Sequence, residues 1–312
     1  MNKETLKIGK NTYKVHHTPV NHILMDIDGQ FNSISNRERL LINPFNGCSH
    51  KCLFCFTNNR FNNSTFRLFR ENNIITVLKN IAEVLAKQLD EKRLDGLVYL
   101  SPSTDPFQLL NSRYNVTETI LSELTKRNIP FALSTKGRIS GTAIDYLTGN
   151  SRSFAEISIL TLDDEVRKKL VRGEAISTES QLNLIDTLTK RGIRTIARID
   201  PVYPYINDDK DMLKELIEKL KALNVRTIIS SCAKIPVITE AKNMEDLKAF
   251  NSNLIERYNT LYNYRDSEFI YADINYRMSI FRFLKSICAE KNMDFRLCLE
   301  YDNRGISLDK RL

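Results

Sequence analysis

The sequence predicts an α/β fold organised around a parallel sheet, and three observations predict it. From about residue 40 onward, short apolar runs rich in β-branched residues alternate with longer stretches of helical period, the pattern that βα units impose. Six strand-helix units fit the count. No internal repeat, low-complexity tract or Pro/Gly-rich linker interrupts them, so the 312 residues read as one continuous domain with terminal extensions. An α/β barrel of this length commonly forms a single unit.

Taken in order, residues 1 to about 38 read as a strand-rich N-terminal cap with a turn at Asp28-Gly29. The run L-L-I-N-P-F at 40–45 is the first strand of the core, followed by a cysteine-rich loop and a helix from Ile74 to about Lys92. L-D-G-L-V-Y-L-S is the second strand; its helix, Val116 to Arg127, leads through Asn128 into I-P-F-A-L-S-T-K. A-E-I-S-I-L-T is the fourth strand, with a helix opened by Ser177 as the N-cap. I-R-T-I-A-R-I-D-P-V, a helix from Asp209 to Leu223, and V-R-T-I-I-S-S-C complete the six. The texture changes at about Thr239. One long amphipathic helix from Met244 to Tyr262, a second from Tyr276 to Lys291 and a last apolar strand, F-R-L-C-L-E, fill the C-terminal part. The expected division is therefore 1–38, 39–238 and 239–312.

Composition narrows the class. A hydrophobic content of 42% suffices for a sizeable core. No apolar run approaches the roughly 18 to 20 residues of a membrane span, and the opening M-N-K-E-T-L-K-I-G-K has no apolar signal stretch. A cytoplasmic protein is expected. The net charge of +8 favours polyanionic partners, yet it is spread along the chain, with Arg167 to Lys169 the longest basic run. Six cysteines, three clustered and three scattered at Cys232, Cys288 and Cys298, do not resemble the disulfide framework of a small secreted domain. Reduced thiols are then available as metal ligands.

The clustered three carry the chemistry. Cys48, Cys52 and Cys55 follow a C-x3-C-x2-C spacing in N-P-F-N-G-C-S-H-K-C-L-F-C-F. Three thiolates can each hold one iron of a 4Fe-4S cube, where electron-transfer clusters of this type use four, and the fourth iron stays open to a small molecule. A zinc site with His50 as fourth ligand is the rival reading, although no second C-x2-C or H-x3-H pair lies downstream. Inert buried thiols are a third reading, opposed by the polar Ser49, His50 and Lys51 between them.

In barrels of parallel strands the active site gathers at the carboxyl ends of the strands. The second strand ends in S-P-S-T-D-P-F-Q, the third in S-T-K, the fourth in S-I-L-T-L-D, the fifth in R-I-D-P-V and the sixth in S-S-C. Helix capping accounts for Asp163 and Asp164. Thr104 and Asp105, between Pro102 and Pro106, fit ligand binding better.

The cysteine spacing, with Phe54 just before the last thiol, resembles the signature of the radical S-adenosylmethionine (SAM) superfamily. The phrases I-N-P-F-N-G-C, S-T-D-P-F-Q, L-S-T-K, S-I-L-T-L-D with Arg172 following, and R-I-D-P-V-Y-P-Y-I-N-D fall in order over roughly residues 42 to 208. They resemble the branch that groups spore photoproduct lyase with relatives often labelled DNA repair photolyase. The resemblance implies a partial (β/α)6 TIM-like barrel with N- and C-terminal extensions, a 4Fe-4S cluster on Cys48, Cys52 and Cys55, and SAM across the barrel mouth. It places Phe54 against the adenine, Thr104 and Asp105 near the methionine amino group, and Ser134, Lys136, Ser158 and Arg198 at the ribose or carboxylate. It implies reductive cleavage of SAM to a 5′-deoxyadenosyl radical and a reductant such as flavodoxin or ferredoxin.

This chain departs from the lyases at Pro102, where they carry a hydrogen-donating cysteine, and at Phe56, where they usually carry Tyr. The lyase's repair activity is therefore not carried over. Cys232, closing the sixth strand, is the candidate hydrogen donor or substrate contact; Cys298, in an apolar strand, is expected to be buried. The substrate is open, with nucleic acid and peptide among the classes. A zinc-stabilised nucleic-acid-binding protein and an iron-sulfur electron carrier are the alternatives.

Overall fold

β-Branched side chains crowd a helix but pack well on a pleated surface, and the runs of Val, Ile and Leu accordingly form strands here. The computed structural model describes residues 2–8, 11–26, 40–59, 69, 72–91, 94 and 96–312. An antiparallel hairpin, β1 (Asn2–Ile8) and β2 (Asn11–Thr18), leads into β3 (Met25–Asp26), β4 (Leu40–Ile42), β5 (Phe45–Asn46) and β6 (Ile74–Leu78). The turn expected at Asp28-Gly29 lies outside the described residues.

After α1 (Ile81–Glu91) the chain settles into βα units. They are β7 (Val98–Leu100) with α2 (Asn111–Tyr114) and α3 (Val116–Lys126), β8 (Phe131–Thr135) with α4 (Gly141–Thr148), and β9 (Phe154–Ser158) with α5 (Asp164–Leu170) and α6 (Thr178–Lys190). β10 (Arg194–Val202), α7 (Lys210–Ala222) and β11 (Thr227–Cys232) follow. The C-terminal part holds β12 (Lys234–Pro236), α8 (Glu240–Leu247), α9 (Leu254–Leu261), β13 (Tyr262–Arg265), β14 (Phe269–Ala272), α10 (Ile274–Glu290) and β15 (Asp294–Leu297).

The main sheet runs β15-β11-β10-β9-β8-β7-β4-β3. All neighbours in it are parallel except β3, which pairs antiparallel with β4. Seven parallel strands thus form an open, partial barrel, the six expected units plus the C-terminal β15. The order β1-β2-β6-β5 makes a second sheet and β12-β14-β13 a third. One continuous apolar core reaches from Tyr13 to Leu308 and includes Tyr258, Tyr262 and Phe281. Among the described residues no helix is long and apolar enough to cross a membrane.

Two elements differ from the sequence reading. The helix expected from Ile74 begins only at Ile81, because I-I-T-V-L is a strand wedged between β2 and β5. Asn80 ends it by donating to the Val20 carbonyl and accepting from the Val20 amide. The long helix expected over Met244 to Tyr262 is two helices, α8 and α9. Between them the Asn251 side chain accepts from the Asn253 amide, the local bond by which Asn competes with helical pairing. Ser177 and Asp163 are N-caps, as read.

The C-terminal part is fastened to the barrel by a buried ion pair. Arg277 of α10 donates to Glu300 (2.9 Å) and to the Ala272 and Tyr301 carbonyls, and Glu300 also accepts from the Cys232 amide. Removing one member of such a pair leaves a buried charge unpaired. Glu300→Ala is expected to lower stability by about 3–5 kcal/mol in urea denaturation, and Glu300→Gln, which retains an acceptor, by less.

Candidate active site

Successive side chains of a strand point to opposite faces, so every second residue of the seven parallel strands enters the barrel lumen. The inward residues Ala132, Phe154, Ile196 and Ile229 form an apolar floor with Leu97 and Tyr99 packed on it. Two residues further along the same strands the inward positions are Ser134, Glu156, Arg198 and Ser231, and two beyond that Lys136, Ser158 and Asp200. The lumen turns from apolar to polar towards the carboxyl ends of the strands. There it opens into a cavity of about 400 Å³.

The cysteine loop forms the opposing wall. It is clamped from three sides. Gln108 accepts from the Ser49 amide (2.9 Å) and donates to the Gly47 carbonyl (3.1 Å); the Tyr13 hydroxyl donates to the Ser49 carbonyl (3.4 Å); and the end of α5 with the segment after it closes the third side, Leu170 O accepting from Leu53 N (2.9 Å) and Gly173 N donating to His50 O (2.7 Å). Gly47 has a φ of +91°, a conformation open to glycine. The approach of Gly173 is closer still: a Cβ there would stand 1.8 Å from the Ser49 carbonyl oxygen.

Cys48, Cys52 and Cys55 line the cavity together with Phe54, Thr104, Asp105, Ser134, Lys136, Ser158, Arg198 and Cys232, so every site residue read from the sequence meets in one place. Lys136 donates to Ser158 Oγ (3.1 Å), and its ammonium lies 5.3 Å from the Phe54 ring centroid. Asp105 is buried and engaged throughout: Oδ1 accepts from Phe107 N (2.9 Å) and Thr135 Oγ1 (2.6 Å), Oδ2 from Lys136 N (2.7 Å), and His50 Nε2 stands 3.1 Å from Oδ2. Burial pushes the Asp105 carboxyl up, but His50, Thr135 and Lys136 outweigh it and hold it below the usual range. Thr104 Oγ1, His50 Nδ1 and Ser101 Oγ, by contrast, are buried without a protein partner, on residues that line the cavity.

Sequence reasoning missed the layer beneath. Arg198 donates to Glu156 Oε2 (2.7 Å), to Asp200 and to Cys298 Sγ (2.9 Å), Tyr99 donates to Glu156 Oε2 (2.7 Å), and Ser231 bonds Asp200. Counting back by two from Ser158 and forward by two from Arg198 would have found Glu156 and Asp200. Cys298, expected to be buried in an apolar strand, instead lies just past the end of β15, half-buried and in the cavity lining. Leu297 is the residue that turns to the core. Cys232 lines the cavity too but is 2% exposed. Burial pushes the Cys298 thiol up to about 11 against the pull of Arg198, and raises Cys232 as well.

The thiols suit an iron-sulfur group. Among the described residues no three His, Cys, Asp or Glu side chains converge on one metal ion, whereas a cube takes each thiolate on a different iron. Burial, with Asp105 and the neighbouring cysteines adding to it, raises Cys48 well above the usual thiol range; Cys52 is raised to about 12, chiefly by burial and against the pull of Lys136. Thiolates in this place need a cation such as iron beside them.

Comparison with known proteins now fixes the class. Residues 42–248 match the model of the radical SAM superfamily, and the chain belongs to that superfamily. It is similar to a radical SAM Nalpha-GlyT isomerase of Pseudomonas phage M6, 27% identical over 268 residues that cover 85% of this chain and 54% of the relative. This chain thus spans about half that relative's length. An uncharacterized protein of Mycobacterium tuberculosis is 24% identical over 229 residues, 72% of this chain and 67% of that one. In fold it resembles a spore photoproduct lyase mutant with bound AdoMet and dinucleoside spore photoproduct, with a TM-score of 0.63 at 12% identity, covering 85% of this chain and 78% of that one.

The clamp on the cysteine loop is testable. Gly173→Ala is expected to displace the loop, costing about 1–3 kcal/mol and most of the iron taken up on reconstitution. Gly141→Ala, where a Cβ meets nothing within 4 Å, leaves both unchanged; iron assay and thermal denaturation read the pair.

Proposed function

We propose that Cys48, Cys52 and Cys55 hold a 4Fe-4S cluster with one open iron and that the chain cleaves SAM reductively to take a hydrogen atom from its substrate. The observation that carries the proposal is a single cavity with the three thiols on one wall and the polar ends of the strands on the other. When bound, the cluster supplies the electron, and SAM the 5′-deoxyadenosyl radical. The protein's part is to position and to exclude water. Phe54 offers an aromatic face for the adenine, and Lys136 a cation for the ribose or carboxylate. Ser134, Ser158 and Arg198 offer donors to ribose or carboxylate, and the Thr104 hydroxyl one to the methionine end. Asp105 serves by holding the Lys136 backbone and His50 in place. Residues 39–238 form the catalytic core in this reading, with 1–38 and 239–312 as its extensions, and a flavodoxin or ferredoxin as electron source.

The name of the phage relative supports a redox-neutral rearrangement, in which a hydrogen removed from the substrate is returned. Cys232 is the proposed contact or donor for that return; as donor it would give its thiol hydrogen atom to the substrate radical, and the thiyl radical left would recover a hydrogen atom from 5′-deoxyadenosine. Nucleic acid and peptide are the substrate classes in this reading.

Anaerobically reconstituted protein is expected to be brown with about four irons per chain and, with dithionite and SAM, to form 5′-deoxyadenosine. Changing any of Cys48, Cys52 or Cys55 to Ala abolishes colour and product; Cys288→Ala changes neither. A colourless protein with one zinc, or a brown one that leaves SAM intact, contradicts the proposal.

Asp105→Asn is expected to keep the cluster and weaken SAM binding by about 1.5–3 kcal/mol, read by titration against the cluster's paramagnetic signal. Because the folded-state carboxyl of Asp105 is depressed, its contribution to stability is present above the ordinary carboxylate range and is lost as pH falls through the lowered value. The Asn variant therefore loses less stability than the parent between neutral and acid pH.

A further inference from the structure

The register of the N-terminal hairpin pairs Lys3 with His16, Thr5 with Lys14 and Lys7 with Thr12. Directly opposed residues share a face, so one face carries a basic residue in every pair. Both threonines and the three lysines are exposed, and His16 is half-buried. The hairpin's single acid, Glu4, lies on the other face, where it meets His17, Tyr114 and Arg113. The exposed face is two strands wide, because on the adjoining β6 the residues beside Lys14 and His16, Ile74 and Thr76, are buried.

Lysines guard edge strands against stray pairing, which accounts for Lys3 and Lys7 on the outer strand β1. It does not account for Lys14 and His16 on the inner strand β2. Burial, then the charges of Lys3 and Lys14, hold His16 below its ordinary range.

We propose that this face is a docking surface for the phosphate backbone of duplex DNA. A two-stranded ribbon matches the major groove of B-form DNA, about 12 Å wide, whereas the A-form groove is too deep and narrow for it. The opposite face is tied to the cysteine loop through Tyr13, whose hydroxyl bonds Ser49 and whose ring lies 5.2 Å from the Lys51 ammonium. A bound duplex is thereby held on the element that braces the cavity wall. The inference concerns DNA binding and does not depend on the proposed radical chemistry.

The test is fluorescence anisotropy of a labelled DNA duplex of about 20 base pairs with the reconstituted full chain over a salt series. Lys3→Glu with Lys14→Glu is expected to weaken binding by about tenfold or more and to make the slope of log K against log salt shallower by about 0.9 per lost phosphate contact. The milder Lys3→Gln with Lys14→Gln moves both in the same direction. Formation of 5′-deoxyadenosine without DNA stays at the parent level in both variants, so a failure of the radical reading shows separately. DNA also raises the His16 pKa in the parent, read by NMR. Unchanged affinity and slope in both variants, an equal loss in a Lys87→Glu with Lys190→Glu control, or a parent that prefers duplex RNA of the same length overturns the proposal.

Discussion

Because the seven core strands all run one way, their inward side chains change character at the same height. This constraint makes the site. Alternation sends Ala132, Phe154, Ile196 and Ile229 into the lumen as a floor and then, two and four residues on, sends in Ser134, Glu156, Arg198, Lys136, Ser158 and Asp200. An antiparallel sheet would have distributed the same residues over both ends. Here they gather at the carboxyl ends of the strands, facing a cysteine loop that Gln108, Tyr13 and Gly173 hold against them.

Such a lumen is expensive to build. Charges taken out of water recover their desolvation only through close, well-oriented partners, and the buried Glu156 and the half-buried Arg198 and Asp200 meet that condition by pairing with one another, with Tyr99 and with Ser231. Apolar side chains would fill the barrel at less cost. Retaining a charged layer under an open cavity makes sense where a polar ligand has to be held in one orientation and shielded from water. The C-terminal extension completes the enclosure: Lys234 of β12, with Glu268 and Phe269, joins the cavity wall, and the Arg277–Glu300 pair ties α10 to the Cys232 backbone.

Much of this was legible in the sequence. The three cysteines stand out by spacing alone, and β-branched runs separated by amphipathic stretches mark the strands of the barrel in order. Two kinds of information were not local. Ile74–Leu78 has the composition of a strand, but what makes it one is pairing with β2 and β5, which lie far off in sequence. The break between α8 and α9 rests on a single side-chain bond at Asn251. Cys298 was misplaced because an apolar run hides which residue of an alternating strand turns inward. Asp105 was read as a site residue and lines the cavity, yet its partners His50, Thr135 and Lys136 could be identified only once the fold had brought them together.

The central claim is that one iron of a three-thiolate cluster is left open for SAM in this cavity. Electron-nuclear double resonance on the reduced, reconstituted protein with SAM labelled by ¹⁵N at its amino group tests it most directly. The account predicts a ¹⁵N coupling large enough for direct coordination to iron, present in the parent and absent without the cluster. A cluster spectrum that is unchanged by SAM, with no nitrogen coupling, would contradict it.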